Sequence, residues 1–240
     1  MLVVGAFVGG FVNGLAGFGT ALFALGFFLS VMPPREAVAI IVVISVFAGA
    51  LGLQAVYPHI KPHKSAIFRI TIPGVIGVPF GVVALSFVSV DILKLLVAFM
   101  LLLYGGYFTA RANLPQLAGH FPKFDMLIGL IGGLLGGLAA LSGALPTMWL
   151  AMRDMDKQTT RTILQCYNLT LLSVTTALLW ANGAYAGTTI IHTLIAVPVA
   201  MIAARFGLAL FKRLNTAQFR RLLVAMTFIS GLIMLFRIFT

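Results

Sequence analysis

Apolar runs long enough to cross a membrane recur along almost the whole chain. They cover residues 2–31, 37–56, 66–88, 92–110, 124–152, 159–181, 188–211 and 218–238. About 20 consecutive apolar residues span roughly 30 Å of hydrocarbon as an α-helix. Because lipid offers no hydrogen-bond partners, each span must satisfy its own backbone, which a helix does. The sequence therefore predicts an all-α polytopic membrane protein whose main contact is the lipid bilayer.

The charged residues are too few to cover the surface of a soluble protein. Only 9% of the residues are charged, whereas soluble domains carry about 25%. The formal net charge of +11 could indicate nucleic acid, but basic loops that hold the cytoplasmic side of a membrane protein are the simpler cause, so we predict no nucleic-acid partner. Cys166 is the only cysteine, and nothing in the sequence calls for a cofactor or a metal. The chain is apolar from Met1 without a basic leader, so we expect its first segment to belong to the mature fold.

The chain contains an internal repeat. Residues 13–19 align with residues 136–142 at a displacement of 123. At a displacement of 126, three residues of the first half match three of the second: Gly81, Met100 and Gly105 with Gly207, Met226 and Gly231. We therefore predict a first repeat over residues 1–112, a linker over 113–123 and a second repeat over 124–240, which together form one domain.

The first segment of each repeat is unusually long and carries glycines at its centre. It could be one tilted helix or a re-entrant hairpin of two half-helices. If every segment crosses, nine basic residues lie on one side and six on the other. If the first segments are hairpins, the split is 12 to 3, with Arg205 left inside the membrane; the three are Arg35, Lys94 and Arg237. Strong cytoplasmic enrichment of Lys and Arg favours the hairpins.

Each half then has one hairpin and three crossings. An odd number of crossings inverts the second half relative to the first, a common design of secondary transporters. The sequence thus predicts two inverted repeats in the bacterial inner membrane, with both chain termini outside. A homo-oligomer is compatible with this arrangement.

The hairpin tips are the candidate anion site. The N-terminus of a half-helix offers free N–H groups and partial positive charge, which suit an anion. The first tip supplies Asn13, Gly14, Gly17, Gly19 and Thr20, and the second supplies Ser142, Gly143 and Thr147. The alternative is that these small residues only allow close helix packing.

Further polar residues lie within or near the apolar runs. Gln165 and Asn168 share one helical face and either line a cavity or join helices. Arg69 and Arg205 could bind an oxyanion or reach the headgroups, and His192 could carry a proton or be structural. All five acids fall at segment ends or in loops. Because cation-coupled carriers usually need an intramembrane carboxylate, the cargo is predicted to be an anion.

The sequence resembles the TauE/SafE family of sulfite and organosulfonate exporters. The resemblance rests on the opening motif over residues 9–20, GGFVNGLAGFGT, and on its degenerate copy over residues 132–143. It extends through Pro73-Gly74…Gly77…Gly81 and Arg205-Phe206-Gly207…Arg220…Gly231. It implies transport of sulfite, sulfoacetate, related sulfonates or other small organic anions across a bacterial inner membrane, commonly outward. The second copy has Ala140 in place of Gly17 and Ser142 in place of Gly19, which leaves open whether both tips bind substrate.

The resulting hypothesis is a secondary transporter, not an enzyme, that exports a small anion by alternating access around the two tips. An anion channel is the nearest alternative. An intramembrane hydrolase is a more remote one, because residues 140–143 (Ala-Leu-Ser-Gly) include a serine, and His192 is the only intramembrane base that could serve it.

Overall fold

The computed structural model describes residues 1–110, 117, 119, 121–153, 155–215, 218 and 222. Nine α-helices lie within these ranges: α1 Leu2–Ala16, α2 Thr20–Phe28, α3 Pro34–Val56, α4 Lys64–Leu85, α5 Val90–Ala110, α6 Pro122–Ala139, α7 Ala144–Ala151, α8 Lys157–Ala181 and α9 Thr188–Arg213. Most of the linker and of the eighth apolar run lie outside the described residues, as do Arg111, Asp154, Arg220, Arg221, Met226, Gly231 and Arg237.

The described helices are those of a multi-pass membrane protein. Five stretches are long and apolar enough to cross a membrane: Pro34–Gln54, Lys61–Leu85, Pro122–Ala139, Gln158–Ala181 and Thr188–Arg213. Large apolar side chains also cover the outer surface, as on α4, where one exposed stripe repeats every fourth residue: Phe68, Ile72, Ile76 and Phe80. Such a stripe faces lipid in a membrane protein. The predicted all-α polytopic class is confirmed.

Local sequence signals fix where several helices begin. Pro34 opens α3, where its missing N–H costs nothing. Asp156 caps α8, because its carboxylate accepts from the backbone N–H groups of Gln158 and Thr159. The hydroxyl of Thr159 also donates to this carboxylate, which lowers the pKa of Asp156 below its usual value.

The first apolar run is a hairpin of two antiparallel helices. Gly17 ends α1 and Gly19 precedes α2, both with positive φ (79° and 94°), a conformation that glycine adopts without steric cost. Asn13 of α1 donates through Nδ2 to Thr20 Oγ1 of α2 at 2.8 Å. Further from the tip, a Cβ at Gly9 would meet Ala24 and one at Gly5 would meet Phe28. Residues progressively earlier in α1 therefore contact residues progressively later in α2, as expected for an antiparallel pair.

The first run of the second half has the same form. Helix α6 ends at Ala139 and is capped by Ala140, a non-glycine residue with φ 57° at the position equivalent to Gly17. Gly136 of α6 then faces Ser142, and Gly132 faces Pro146 of α7. At the open end of this hairpin, Trp149 Nε1 donates to Asp125 at 2.6 Å. The chain thus turns back at residues 140–143, as it does at residues 17–19.

Each hairpin packs mainly against the third apolar run of the opposite half. Gly10 and Gly14 of α1 lie against the backbone of α9 at Ala200 and Ala204, whereas Gly133 and Gly137 of α6 lie against α4 at Gly74 and Val78. Adding 123 to the numbers of the α1 residues gives the α6 residues, and subtracting 126 from the numbers of the α9 residues gives the α4 residues. The two sets of contacts are therefore equivalent. Glycine lets two backbones approach this closely. The two halves are therefore interlocked through equivalent crossings.

Helices α3 and α8, which are equivalent in the two halves, run antiparallel. At one end of the pair, Arg35 donates to the carbonyl of Asn182, and Tyr185 donates to Ala39 O at 3.0 Å. Near the other end, Gln165 donates through Nε2 to Gly49 O at 2.8 Å. The start of α3 thus lies beside the end of α8, and both helices reach the centre of the protein, where the hairpin tips meet.

Candidate functional site

The two hairpin tips meet in one pocket between α3 and α8. The pocket contains about 370 Å³ of space, counting its opening. Its lining comes from both tips and from the two helices between them: Asn13, Gly17, Phe18, Gly19, Thr20, Leu22, Ser45, Gly49, Ala140, Leu141, Ser142, Gly143, Ala144, Gln165, Asn168, Leu169 and Leu172. Neither a carboxylate nor a cationic side chain is among these lining residues.

The lining is arranged in pairs of equivalent positions. A displacement of 123 converts Gly17–Thr20 into Ala140–Gly143, and it also converts Ser45 into Asn168 and Gly49 into Leu172. All members of these pairs line the pocket. The pocket is therefore lined by matching positions from both halves of the chain. Sequence reasoning did not single out Ser45 and Gly49, although the displacement found in the hairpins identifies both.

Asn168 connects the two tips. Its Nδ2 donates to the carbonyl of Gly17 in the first tip at 3.3 Å. Its Oδ1 accepts from the hydroxyl of Ser142 in the second tip at 2.7 Å. Asn168 and Ser142 are 5% and 1% exposed. One buried amide thus holds both turns in a fixed relation to the pocket.

Two amide oxygens at the pocket are buried without a hydrogen-bond partner among the described residues. They are Asn13 Oδ1 and Gln165 Oε1. The Nε2 of Gln165 donates to Gly49 O, which fixes the orientation of the amide. An acceptor left without a donor in a buried site costs about 1–3 kcal/mol, so a donor on a bound molecule would be stabilised here.

The tips also present backbone donors. In α2 the first i→i−4 bond is the one from Phe23 N–H to Gly19 O at 3.3 Å, so the N–H groups of Thr20, Ala21 and Leu22 precede the helical hydrogen-bond ladder. In α7 the corresponding bond runs from Thr147 N–H to Gly143 O at 3.0 Å. Both helices therefore begin at the pocket, and the partial positive charge of each helix N-terminus lies there.

Eight of the twelve site residues predicted from the sequence line this pocket: Asn13, Gly17, Gly19, Thr20, Ser142, Gly143, Gln165 and Asn168. Gly14 instead packs against α9, where an added Cβ would overlap the backbone of Ala204. The hydroxyl of Thr147 donates back to Gly143 O at 2.6 Å. These last two residues shape the surroundings of the tips and are not part of the pocket lining.

The two arginines proposed to attract the anion also lie away from the pocket. Arg69 Nε donates to Asp125 Oδ2 at 2.7 Å in a largely buried ion pair. Arg153 is 3.5 Å from the other oxygen of Asp125. Arg205 is exposed on α9. Asp125, at the start of the sixth helix, is thus a structural acid that joins α4 to the second hairpin.

Arg161 is a buried cation that sequence reasoning counted only among the loop charges. It is 4% exposed, and its terminal nitrogens donate to Gly14 O and Leu15 O, both at 3.0 Å. Its guanidinium also lies over the ring of Phe211, 3.8 Å from the centroid. The carbonyls belong to the last turn of α1, so this charge lies just behind the first tip.

The groups that a hydrolase would need are not assembled here. The hydroxyl of Ser142 donates to the amide of Asn168, which cannot accept a proton as a base would. His192, the base considered above, pairs with Glu36 through Nδ1 at 2.8 Å. Neither His192 nor Glu36 lines the pocket.

Comparison with known proteins agrees with this architecture. The sequence matches the family described as sulfite exporter TauE/SafE over residues 1–234. No curated protein and no solved structure gives a significant match. The family consists of membrane transporters for sulfite and related anions, not of enzymes. With a match over nearly its whole length and with helices suited to cross a membrane, this multi-pass chain belongs to the sulfite exporter TauE/SafE family.

Proposed function

We propose that the protein exports sulfite, or a closely related small anion such as sulfoacetate, another organosulfonate or an organic acid, across the bacterial inner membrane. The observation that carries the proposal is the pocket to which both hairpin tips contribute. The export class follows from the family, and the pocket supplies the binding site. Its proposed ligands are the tip residues Asn13, Gly17, Gly19, Thr20, Ser142 and Gly143, with Gln165 and Asn168 beside them.

The chemistry of the pocket suits a small oxyanion. The N-termini of α2 and α7 both begin there and offer N–H donors to oxygen atoms. Among the described residues that line the pocket, no carboxylate is present to repel an anion. Gly17 and Gly19 leave the backbone of the first tip open to close approach. These features favour an acceptor-rich group such as the three oxygens on sulfur.

The unpaired acceptors suggest the protonation state of the cargo. Asn13 Oδ1 and Gln165 Oε1 can each accept a hydrogen bond. Hydrogensulfite, the singly protonated form of sulfite, carries one proton to donate and oxygens to accept. We therefore propose that the pocket binds the monoanion in preference to the dianion.

We further propose that the halves are inverted repeats and that transport proceeds by alternating access. The antiparallel course of the equivalent helices α3 and α8 supports the inversion, as does the exchange of hairpin contacts between the halves. A binding site that lies between two such halves can be exposed to either side of the membrane when one half rocks against the other. The divisions 1–112, 113–123 and 124–240 remain our proposal for the repeat boundaries.

The distribution of charge supports an orientation. Nine of the twelve described Lys and Arg residues lie at the end of the bundle that contains the α3–α4 turn: Lys61, Lys64, Arg69, Lys123, Arg153, Lys157, Arg161, Lys212 and Arg213. Two, Arg35 and Lys94, lie toward the other end. By the positive-inside rule the first end is cytoplasmic. We propose that α1 starts outside and that both termini lie there.

Labelling of equivalent turns tests the inversion. In a Cys166→Ser background, Lys61→Cys in the α3–α4 turn and Ala186→Cys in the α8–α9 turn place one thiol each at an exposed position. Inverted repeats put these equivalent turns on opposite sides, so an impermeant maleimide added to intact cells should label only Ala186→Cys. Permeabilised cells provide the control, since both thiols should then react. Equal labelling in intact cells would contradict the inversion.

Sulfite efflux from proteoliposomes tests the function. The purified protein should release labelled sulfite faster than empty liposomes do, and external sulfite should stimulate the efflux. Asn168→Ala should reduce efflux by about tenfold, because it removes two buried hydrogen bonds that hold the tips, worth about 0.5–1.5 kcal/mol each. Asn215→Ala, at an exposed asparagine beyond α9, should retain wild-type efflux.

Three results would contradict parts of this proposal. Sulfite efflux equal to that of empty liposomes would exclude sulfite as the cargo. Rapid efflux that external sulfite does not stimulate would favour a channel. An unchanged rate of sulfite efflux in Asn168→Ala would show that transport does not need the hydrogen bonds by which Asn168 connects the two tips.

A further inference from the structure

Arg161 is the most unusual charge in the described part of the chain. It lies on α8, one helical turn before Gln165, and its side chain is 4% exposed. Removing a guanidinium from water costs several kcal/mol unless other groups compensate the charge. Among the residues that the structure describes, no carboxylate pairs with Arg161. Its burial therefore calls for another source of negative potential.

The end of α1 is one such source. The C-terminus of a helix carries a partial negative charge on carbonyls that lack helical partners. Arg161 donates to two of these carbonyls, Gly14 O and Leu15 O. In carriers with broken helices, half-helix carbonyl ends commonly coordinate a coupling cation. Here the guanidinium of the protein itself occupies that end of α1.

The compensation is incomplete, and the aliphatic stem of Arg161 passes beside a residue that lines the pocket. Arg161 Nε is buried without a hydrogen-bond partner among the described residues. A Cβ built on Gly17, which lines the pocket, would lie 3.9 Å from Arg161 Cγ and 2.7 Å from Gln165 Oε1. Phe211 covers the guanidinium by a cation–π contact. An anion in the pocket would complete the neutralisation of this group.

We propose that Arg161 is a positioning residue that acts as the fixed countercharge of the anion site. It holds the carbonyl end of α1 and keeps a positive charge behind the first tip, in the place where a coupling cation would otherwise bind. The consequence is that anion binding needs no sodium ion. The inference rests on the proposed function, since it assigns a role at the same pocket.

The test measures the affinity of the purified protein for sulfite in the wild type and in two variants. Arg161→Gln removes the charge, whereas Arg161→Lys retains it without the planar guanidinium. At an effective dielectric constant of about 20, a unit charge roughly 10 Å away changes affinity by about tenfold. Arg161→Gln should therefore bind sulfite about tenfold more weakly, and Arg161→Lys should recover most of the loss. Wild-type affinity should be the same in sodium chloride and in choline chloride.

A matched control separates the local charge from total charge. Arg213→Gln makes the same substitution at an exposed arginine at the end of α9 and should leave sulfite affinity unchanged. Equal loss in Arg161→Gln and Arg161→Lys would indicate a purely structural role and overturn the countercharge. Sodium-dependent binding in the wild type would overturn it too. Wild-type protein that does not bind sulfite would defeat the proposed cargo, and this inference with it, whereas tight binding by Arg161→Gln would defeat only the inference.

Discussion

Gly14→Ala should destabilise the protein by about 3 kcal/mol, at the upper end of the usual cost of overpacking. The added Cβ would overlap the carbonyl oxygen of Ala204 and lie 2.6 Å from its carbonyl carbon. Both atoms belong to the backbone of α9, so no side-chain rotation can relieve the clash. The free energy of unfolding, measured in mixed detergent and dodecyl sulfate micelles, provides the test.

Two further variants make this test specific. Gly137→Ala, the equivalent change in the second half, would overlap the carbonyl oxygen of Val78 and should cost a similar amount. In contrast, a Cβ on Gly106 of α5 meets no atom of the described residues within 4 Å. Gly106→Ala should therefore be neutral or stabilising, because alanine is the better helix former. Equal effects of all three substitutions would contradict the tight crossings between the halves.

Asp125→Ala should lower the free energy of unfolding by about 3–5 kcal/mol, the usual cost of leaving buried charges without their partner. The carboxylate accepts from Arg69 at 2.7 Å and from Trp149 at 2.6 Å, and Arg153 is 3.5 Å away. Removing it leaves two guanidinium groups close together in a largely buried site. The same unfolding measurement applies, and it should show a larger effect than for Gly14→Ala.

Asp91 provides the matched control for this prediction. It is exposed in the first turn of α5, where its interaction with the helix dipole is worth about 0.3–1 kcal/mol. Asp91→Ala should therefore change stability by no more than that amount. If Asp125→Ala and Asp91→Ala lower the free energy of unfolding by the same small amount, the ion pair that joins α4 to the second hairpin does not stabilise the protein.

The class of fold could be predicted because membrane insertion imposes a simple requirement on the sequence. Long apolar runs read directly as helices, and glycines at the centre of the first runs indicated where those helices break, at residues 17–19 and 140–143. The packing partners could not be read in the same way. Gly10 and Gly14 indicate only that the backbone of another helix approaches α1 closely. Which helix it is, here α9, depends on the arrangement of the whole bundle.

The polar residues of the pocket were predictable for a related reason. A polar side chain inside an apolar run has few alternatives to a cavity or a neighbouring helix, which located Gln165 and Asn168. Arginines were harder to place, because a long side chain near the end of a run can reach water, an acid or a carbonyl. Arg69 pairs with Asp125, 56 residues away, and Arg161 pairs with carbonyls of α1. Both partners are set by tertiary contacts that no local pattern contains.

The exchange of hairpins between the halves has a consequence for biosynthesis. Helix α1 leaves the ribosome before the other described helices, but its main neighbour, α9, is the last of them to be synthesised. Until then, the glycine face of α1 has no permanent contact and must rest against lipid or the insertion machinery. Such long-range pairing slows folding and exposes intermediates. If synthesis stops before residue 188, the hairpin of α1 and α2 therefore lacks its main neighbour, α9. We expect such a truncated chain to be a target for membrane quality-control proteases.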